Sequence, residues 1–168
     1  MNLYIFRHGK TEFTGDKPSQ DMAYGEKVET AQIVPQGIAA IERLGNYLKD
    51  VESDFNVSST FLRCRQTVAI VEKFSGKKFE YDALLHDWDP RNETVEDSAK
   101  RIEGFYLKLK AANYASVCIC THGYPIAMLK SLGLKGRVDF ADLPNYPTTG
   151  TLTVIKNAQA EVIDFNQR

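Results

Sequence analysis

Two stretches of the chain decide its fold, LYIFRHG at residues 3–9 and SVCICTHG at residues 116–123. Each is a short apolar run followed by one polar residue and then His-Gly. The first is typical of a buried strand, and the second of a strand that a parallel sheet buries on both faces. Ligands of open α/β sheets bind beyond the carboxyl ends of the strands. Both His8 and His122 are therefore predicted to lie at the edge where such folds carry out chemistry.

Strands and helices alternate along most of the remaining sequence. Helical spacing of apolar residues begins near residue 36, covers 63–74 and 94–112, and resumes near Pro125, while further strands are predicted at 55–58, 77–81, 151–155 and 161–165. This alternation predicts a three-layer α/β/α fold with a mostly parallel central sheet. The polar stretch 9–35 has no periodicity and is predicted to form a long functional loop.

Length and composition limit the class of protein. The 168 residues correspond to a single domain, 1–168, and 43% hydrophobic with 26% charged residues argues against intrinsic disorder. A formal net charge of -1 provides no general attraction for nucleic acid or anionic lipid. No segment approaches the roughly 20 apolar residues that span a bilayer. We therefore expect neither nucleic acid nor membrane as a partner, while the oligomeric state does not follow from the sequence.

The cysteines indicate the compartment. Cys118 and Cys120 would point to the same side of one strand, about 6.6 Å apart along it, which is poor geometry for a disulfide. With Cys64 they are expected to be buried free thiols, as in a reducing compartment. The apolar run at the N-terminus is too short for the core of a signal peptide. A cytoplasmic protein is the resulting prediction.

Two arginines point to an anionic ligand. Arg7 precedes His8, and Arg63 opens a helix after the predicted strand 55–58. A guanidinium group has a fixed fork of donors suited to phosphate, and a helix N-terminus also favours anions. One histidine alone is usually structural, but two histidines in matching contexts favour a functional site.

Four motifs resemble, in the same order, those of the histidine phosphatase superfamily, also called the phosphoglycerate mutase-like family. RHGKT at 7–11 is similar to its R-H-G-x-T signature, and STFLRCRQT at 59–67 to its S-x-L-x-R-A-x-Q-T segment. THG at 121–123 resembles the second histidine motif, and VPQG at 34–37 lies where the family usually has L-T-x-x-G. The resemblance covers nearly the whole chain and implies a phosphoglycerate mutase-like fold.

The resemblance also implies roles for these residues. In such enzymes the first histidine attacks phosphorus in line, and water then hydrolyses the phosphohistidine. His8 would be this nucleophile, while Arg7, Arg63 and His122 would surround the equatorial oxygens of the phosphoryl group. Because two arginines supply positive charge, we expect no metal ion and no other cofactor. A zinc site built from His8 and His122 is the competing hypothesis, but it would put two arginines beside a dication.

The proton donor is where the sequence departs from the family pattern. The family has a glutamate in an L-x-E segment, whereas residues 84–90 read LLHDWDP. Alignment on the second leucine gives Asp87 as the acid, alignment on the first gives His86, and Asp89 is a further candidate. We prefer Asp87, because burial near Trp88 would raise its pKa enough for it to protonate a leaving oxygen.

Three more residues are candidates for binding substrate. Thr11 and Thr14 could hydrogen-bond phosphate or orient His8, and the N–H of Gly123 could face an oxygen. The mutase branch has asparagine at the position of Thr14, followed by an R-x-Q-G element that this chain lacks. Hydrolysis is therefore preferred to mutase activity.

The resemblance thus implies a metal-independent phosphatase that hydrolyses phosphate monoesters through a phosphohistidine intermediate. Its partner would be a small phosphorylated substrate or a phosphoprotein. Some short family members that resemble bacterial phosphohistidine phosphatases lack a typical acid, so a phosphoprotein or phosphohistidine phosphatase is one alternative. A non-catalytic relative that only binds phosphate is the other.

Overall fold

The computed structural model describes residues 1–167, which fold around a six-stranded sheet. Its strands are β1 (Asn2–Arg7), β2 (Phe55–Ser58), β3 (Glu80–Tyr81), β4 (Ser116–Thr121), β5 (Thr151–Lys156) and β6 (Gln159–Asp164). The α-helices are α1 (Ile38–Lys49), α2 (Leu62–Ser75), α3 (Val95–Ala111) and α4 (Gly123–Lys135). None of these helices is both long and apolar enough to cross a membrane.

The strands lie in the order β3-β2-β4-β1-β5-β6. The pairs β3–β2, β2–β4 and β4–β1 are parallel, while β5 runs antiparallel to both β1 and β6. Helices follow β2 and β4 directly, as parallel connections require. The predicted α/β class and mostly parallel central sheet are confirmed.

Alternation along the strands sorts the core onto the two faces of the sheet. Leu3 and Ile5 of β1 pack with apolar residues of α3 and α4, whereas Tyr4 and Phe6 pack with those of α1 and α2. Cys118 and Cys120 of β4 share the second face, and both are free and buried. The helices therefore form the two outer layers of the three-layer fold.

The register between β1 and β4 determines where the two His-Gly turns lie. Their residues pair from Asn2 with Ser116 through to Arg7 with Thr121. The N–H of His8 continues this ladder by donating to the carbonyl of Thr121 at 3.0 Å. The two His-Gly turns therefore leave the sheet at the same level, side by side.

Three differences from the predicted boundaries have a local physical reason. Helix α4 begins at Gly123 rather than near Pro125, since proline is also tolerated in a first turn, where N–H groups have no intrahelical acceptor. Strand β6 begins at Gln159, two residues early, because both turn residues Asn157 and Ala158 adopt positive φ and make a tight hairpin.

Strand β3 is the third difference, with two residues instead of the five predicted over 77–81. The N–H of Phe79 donates to the Glu72 side chain at 2.9 Å, and Asn56 Nδ2 donates to the carbonyl of Lys78 at 3.1 Å. Side chains therefore take up the backbone groups that a longer ladder would use.

The long loop 9–35 contains short 3₁₀ turns at Pro18–Gln20 and Gly25–Lys27 and ends in another at Pro35–Gly37. An isolated bridge between Thr11 and Ile33 joins its two ends. The loop therefore returns to its starting point, next to the two His-Gly turns.

Candidate active site

Five residues predicted from the sequence come together at the carboxyl ends of the parallel strands. Arg7 ends β1 and His8 follows it, while His122 follows β4. Arg63 lies in the first turn of α2, and Asp87 comes just after the 3₁₀ turn Ala83–Leu85. The rings of His8 and His122 lie 5.2 Å apart, centroid to centroid.

The cluster contains four buried side-chain nitrogens that have no hydrogen-bond partner. They are Nε of Arg7, Nε2 of His8, Nε of Arg63 and Nδ1 of His122, and no other buried side-chain nitrogen or oxygen of residues 1–167 is unpaired. Leaving a buried polar group unpaired costs about 1–3 kcal/mol. Such a concentration in one place indicates a site built for a ligand that accepts several hydrogen bonds and can take a lone pair.

The neighbours of His8 determine the tautomer and the charge of its ring. Its Nδ1 lies 2.8 Å from the carbonyl oxygen of Gly9, which can only accept, so we assign the ring proton to Nδ1 and a lone pair to Nε2. Burial first, and then the charges of Arg63 and Arg7, lower the pKa of His8 well below its usual value. The imidazole is therefore neutral, with its nucleophilic nitrogen among the arginines.

The turn after His8 depends on close packing. A Cβ on Gly9 would lie 3.2 Å from the Ile33 side chain. The N–H of Gly9 donates to Thr67 Oγ1 at 2.8 Å, and that hydroxyl donates to the carbonyl of Arg63 at 2.6 Å. This chain of bonds fixes the His8 turn against helix α2.

His122 is held through Nε2, whereas His8 is held through Nδ1. Its Nε2 lies 2.8 Å from Ser59 Oγ, and burial followed by Arg63 and His8 lowers its pKa well below the usual value. The Ser59 oxygen also lies 3.4 Å from the N–H of Phe61, so we assign the hydroxyl as donor to Nε2. The ring proton is then on Nδ1, which makes His122 a hydrogen-bond donor toward the site.

The two arginines carry the positive charge of the site. Arg7 donates to Asp21 Oδ2 and, at 3.3 Å, to the carbonyl of Pro147. Arg63 is fully buried, and it donates to the carbonyl of Val28 and, at 3.3 Å, to Asp87 Oδ2. Both guanidinium groups are therefore oriented by partners while their Nε–H groups stay unpaired.

Of the three candidate acids, Asp87 contacts the cluster. Its Oδ2 lies 3.3 Å from Arg63 and 3.8 Å from Nδ1 of His122, and its Oδ1 accepts from the N–H of Trp88 at 3.1 Å. Burial raises the pKa of Asp87, although Arg63 and Arg7 oppose that change. A carboxyl group with a raised pKa can hold a proton for a leaving group.

The other two candidates have different partners. His86 lies 2.5 Å from the Thr60 hydroxyl through Nε2 and stacks on Phe61, and its burial lowers its pKa. Asp89 accepts from the Arg91 guanidinium at 2.6 Å and from Asn92 at 2.8 Å, which lowers the pKa of Asp89. Asp89 therefore stabilises its own turn.

Two predicted binding residues, Thr11 and Thr14, bond to each other. The N–H of Thr11 donates to Thr14 Oγ1 at 2.8 Å, and that hydroxyl donates back to the carbonyl of Thr11 at 3.0 Å. The Thr11 hydroxyl lies 3.1 Å from the hydroxyl of Tyr24. In this structure both threonines shape the loop, and Thr11 also holds Tyr24.

Gly123, the third predicted binding residue, lies under an aromatic ring. It is the first residue of α4, so its N–H belongs to a turn without intrahelical acceptors. A Cβ at this position would lie 2.5 Å from the ring of Tyr146. Only glycine lets this ring close over the start of the helix.

Three site residues were not predicted from the sequence: Asp21, Tyr24 and Tyr146. Asp21 pairs with Arg7, the Tyr24 ring lies 4.1 Å from Arg63 Cζ, and the Tyr146 ring lies 5.0 Å from Arg7 Cζ. The hydroxyl of Tyr146 also donates to Asp21 at 3.1 Å. A buried arginine needs an acidic partner, but that rule alone does not select Asp21 among the acids of the loop.

A cleft of about 350 Å³ opens above this cluster. It is lined by loop residues 21–25 and by the aromatic side chains of Trp88, Tyr124 and Tyr146. Within residues 1–167, no group of three or more His, Cys, Asp and Glu side chains is arranged to hold a metal ion. The arrangement can bind a tetrahedral anion between two guanidinium groups and present an uncharged nitrogen nucleophile to it.

Part of the chain is similar in sequence to a phosphatase of known activity. The chain is 40% identical over 77 residues to the broad-specificity phosphatase YOR283W of Saccharomyces cerevisiae, a stretch that covers 45% of this chain and 31% of the yeast protein. The match therefore spans about a third of the length of that relative.

Solved structures share the whole fold at low sequence identity. A mycobacterial glucosyl-3-phosphoglycerate phosphatase superposes with a TM-score of 0.71 at 16% identity and covers 99% of both chains. The protein histidine phosphatase SixA, solved with tungstate, gives a TM-score of 0.67 at 18% identity and covers 97% of this chain and 94% of its own. At such identities the likeness concerns the fold alone.

The family model decides the assignment. The model of the histidine phosphatase superfamily (branch 1) matches residues 3–91, more than half of the chain, and this range holds Arg7, His8, Arg63 and Asp87. His122 lies beyond it but is joined to His8 by the register of β1 and β4. By this match, the chain belongs to the histidine phosphatase superfamily.

Proposed function

We propose that this protein is a metal-independent phosphatase that hydrolyses phosphate monoesters through a phosphohistidine on His8. The observation that carries the proposal is the set of four unpaired buried nitrogens on Arg7, His8, Arg63 and His122. Three are assigned as donors and one as a lone pair. This is what a phosphoryl group needs when a nitrogen attacks phosphorus and donors hold the oxygens.

In the first step, Nε2 of His8 attacks phosphorus while the bond from phosphorus to the leaving oxygen breaks. Asp87 gives its carboxyl proton to that oxygen, so the alcohol departs neutral. The proton on Nδ1 of His8 stays bonded to the Gly9 carbonyl throughout. The two arginines balance the charge of the transferring group, which is the main requirement in phosphoryl transfer.

In the second step, water attacks the phosphohistidine and the bond between phosphorus and nitrogen breaks. The carboxylate of Asp87 takes the proton from water, and inorganic phosphate leaves. His8 returns to its neutral form and Asp87 to its acid form, so the cycle closes without another reactant.

Tyr24 and Asp21 restrict access to this chemistry. His8, Arg63 and His122 are fully buried, and the Tyr24 ring lies against Arg63. A substrate phosphate reaches them through a cleft whose volume, about 350 Å³, is typical of small-molecule sites. We therefore favour a small phosphorylated substrate over a folded phosphoprotein.

The free, buried state of Cys64, Cys118 and Cys120 supports a reducing compartment. We keep the cytoplasm as the proposed location on this ground. Fractionation of the cells that produce the protein would test it.

The test is hydrolysis of p-nitrophenyl phosphate with EDTA present, from about pH 5 to 8. The wild-type protein should turn over, and His8→Ala should retain its fold but lose the activity. His86→Gln replaces the third histidine of the chain as a matched control and should keep most of the activity. Unimpaired hydrolysis by folded His8→Ala would overturn the histidine mechanism, and loss of wild-type activity in EDTA would overturn metal independence.

A wild-type protein that binds phosphate without turning it over would instead indicate a phosphate-binding relative. Inorganic phosphate would then raise the melting temperature through ligand linkage, with no product released. The position of Asp87 beside Arg63 and His122 favours catalysis over this alternative.

A further inference from the structure

Three aromatic side chains form one wall of the cleft above Arg7 and Asp87. They are Trp88, Tyr124 and Tyr146, here called the aromatic wall. The ring centroids of Trp88 and Tyr124 lie 5.0 Å apart, and those of Tyr124 and Tyr146 lie 5.6 Å apart. These contacts join the three rings into one continuous surface.

The long loop also contributes apolar and aromatic surface to the cleft. Met22, Ala23 and Tyr24 of this loop line it. The Met22 side chain is 58% exposed, so its thioether is free to pack against a bound group. A group attached to a phosphate on His8 would therefore extend into a cleft that these residues and the aromatic wall line.

Three of the polar groups beside the cleft already have protein partners. The indole N–H of Trp88 donates to the carbonyl of Glu93 at 3.2 Å, and the Tyr146 hydroxyl donates to Asp21. Arg91 binds Asp89 with two nitrogens, at 2.9 and 2.6 Å. A substrate rich in hydroxyl groups would lose water here and find these donors and acceptors occupied, which costs free energy.

We propose that the phosphate esters this site selects carry an aromatic or arylalkyl group, which packs on the aromatic wall, rather than a sugar or a glycerate. The inference rests on the proposed function, because it places the phosphate of the ester on His8. Flat rings can stack or meet edge to face with the wall and need no hydrogen bonds from it.

The experiment compares three phosphate esters of primary alcohols: 2-phenylethyl phosphate, ethyl phosphate and glycerol 3-phosphate. Their leaving oxygens are chemically similar, so differences in kcat/KM report recognition of the attached group. We expect kcat/KM for 2-phenylethyl phosphate to exceed that of both others by at least about tenfold. Equal values, or a preference for glycerol 3-phosphate, would overturn the inference.

Tyr124→Ala tests the contribution of the aromatic wall to the substrate preference. It should reduce the preference for 2-phenylethyl over ethyl phosphate by about 2- to 12-fold, the range typical of one aromatic contact. Tyr47→Ala is the matched control, since Tyr47 is an exposed tyrosine of α1 that packs on Phe165 instead. It should leave the preference unchanged, and a Tyr124→Ala preference equal to the wild-type value would contradict the inference.

A parallel assay with p-nitrophenyl phosphate separates the two proposals. If the wild-type protein hydrolyses it but shows no preference among the three alkyl esters, the inference fails and the phosphatase stands. If no ester is hydrolysed, the proposed function fails and the inference fails with it.

Discussion

The two His-Gly turns have the same local pattern but leave opposite ring nitrogens free. At His8, the Gly9 carbonyl engages Nδ1 and leaves Nε2 with a lone pair. At His122, the Ser59 hydroxyl engages Nε2 and leaves Nδ1 with a proton. One ring can therefore attack an electrophile, while the other can only donate a hydrogen bond to it.

The difference teaches that the partner of a histidine, rather than its motif, sets its chemical role. The partner of His8 is the next peptide group, so its tautomer is fixed by the turn itself. The partner of His122 comes from a residue 63 positions away, at the end of β2. The second assignment therefore depends on the tertiary fold, and it is the easier one to change.

Removing each histidine in turn should separate the two roles most strongly. We expect His8→Ala to lower kcat at least about 10⁴-fold, because the nucleophile is lost. His122→Ala should lower it about 10²- to 10³-fold, as loss of one transition-state donor does. Rapid quenching and measurement of base-stable, acid-labile phosphoprotein would check this: His122→Ala should still form it. Its formation in His8→Ala alone would mean that the roles are reversed.

Asp87 contacts His122 rather than His8, so its substitution further tests the different roles of the two histidines. Asp87→Asn should lower kcat/KM for an alkyl phosphate about 10²- to 10⁴-fold but affect p-nitrophenyl phosphate much less, since a good leaving group needs little protonation. In the wild-type protein, activity should fall as the pH rises through the raised pKa of Asp87, which must be protonated to act as an acid.

The pH profile of Asp87→Asn should lack this alkaline decrease. Asp89→Asn is the matched control, because Asp89 pairs with Arg91 and should not contribute that limb. If Asp89→Asn, and not Asp87→Asn, removes the alkaline decrease, the acid has been assigned to the wrong carboxyl group.

Ser59→Ala should make the two rings less different, because Nε2 of His122 loses the Ser59 hydroxyl at 2.8 Å and keeps only the Cys64 thiol at 3.6 Å. The loss of one hydrogen bond, worth about 0.5–1.5 kcal/mol, corresponds to a decrease of about 2- to 10-fold in kcat/KM. Ser58→Ala is the control, since the Ser58 hydroxyl donates to the Ser59 carbonyl and not to a histidine. Nitrogen NMR should show a mixture of His122 tautomers in Ser59→Ala alone, and an unchanged tautomer would refute the assigned donor.

By contrast, the two histidines should contribute alike to the pH dependence of the free energy of unfolding. The unfolded chain binds a proton at each below the ordinary pKa of about 6.5, whereas burial keeps both neutral in the folded state. The unfolded state thus binds more protons, so this stability is fully present above about pH 6.5 and is lost progressively as the pH falls below it.

Urea unfolding at pH 7.5 and 5.5 measures this loss. His8→Asn and His122→Asn should each reduce it by a similar amount, although their activities differ. Asp87 contributes in the opposite sense, because its raised pKa makes the folded state bind a proton more tightly as the pH falls. A loss that is the same in both variants and in the wild-type protein would show that neither ring is kept neutral.

Much of the site could be predicted because it is encoded in short segments. The two apolar runs fix β1 and β4, and a parallel register then places His8 beside His122. Arg63 follows from the strand–helix junction, and Asp87 from the resemblance of its segment to the L-x-E segment of the family. Each of these depends on neighbours only a few residues away.

The remainder of the site comes from contacts that no local pattern encodes. Asp21 and Tyr24 belong to the aperiodic loop 9–35, and they meet Arg7 and Arg63 only because that loop folds back across the sheet edge. Tyr146 follows a 3₁₀ turn and reaches Gly123 and Asp21 from another part of the chain. Thr11 and Thr14 were predicted to hydrogen-bond phosphate or to orient His8, and the hydrogen bonds between them also come from this loop.

The pairing of β1 with β4 also sets the distance between the imidazole rings of His8 and His122. Each strand advances about 3.3 Å per residue and alternates its side chains between faces. A single insertion or deletion within either strand would therefore shift one imidazole by that length and turn it toward the wrong layer. We therefore expect insertions and deletions to disrupt the site more when they fall within the paired segments Asn2–Arg7 and Ser116–Thr121 than when they fall in the connections outside them.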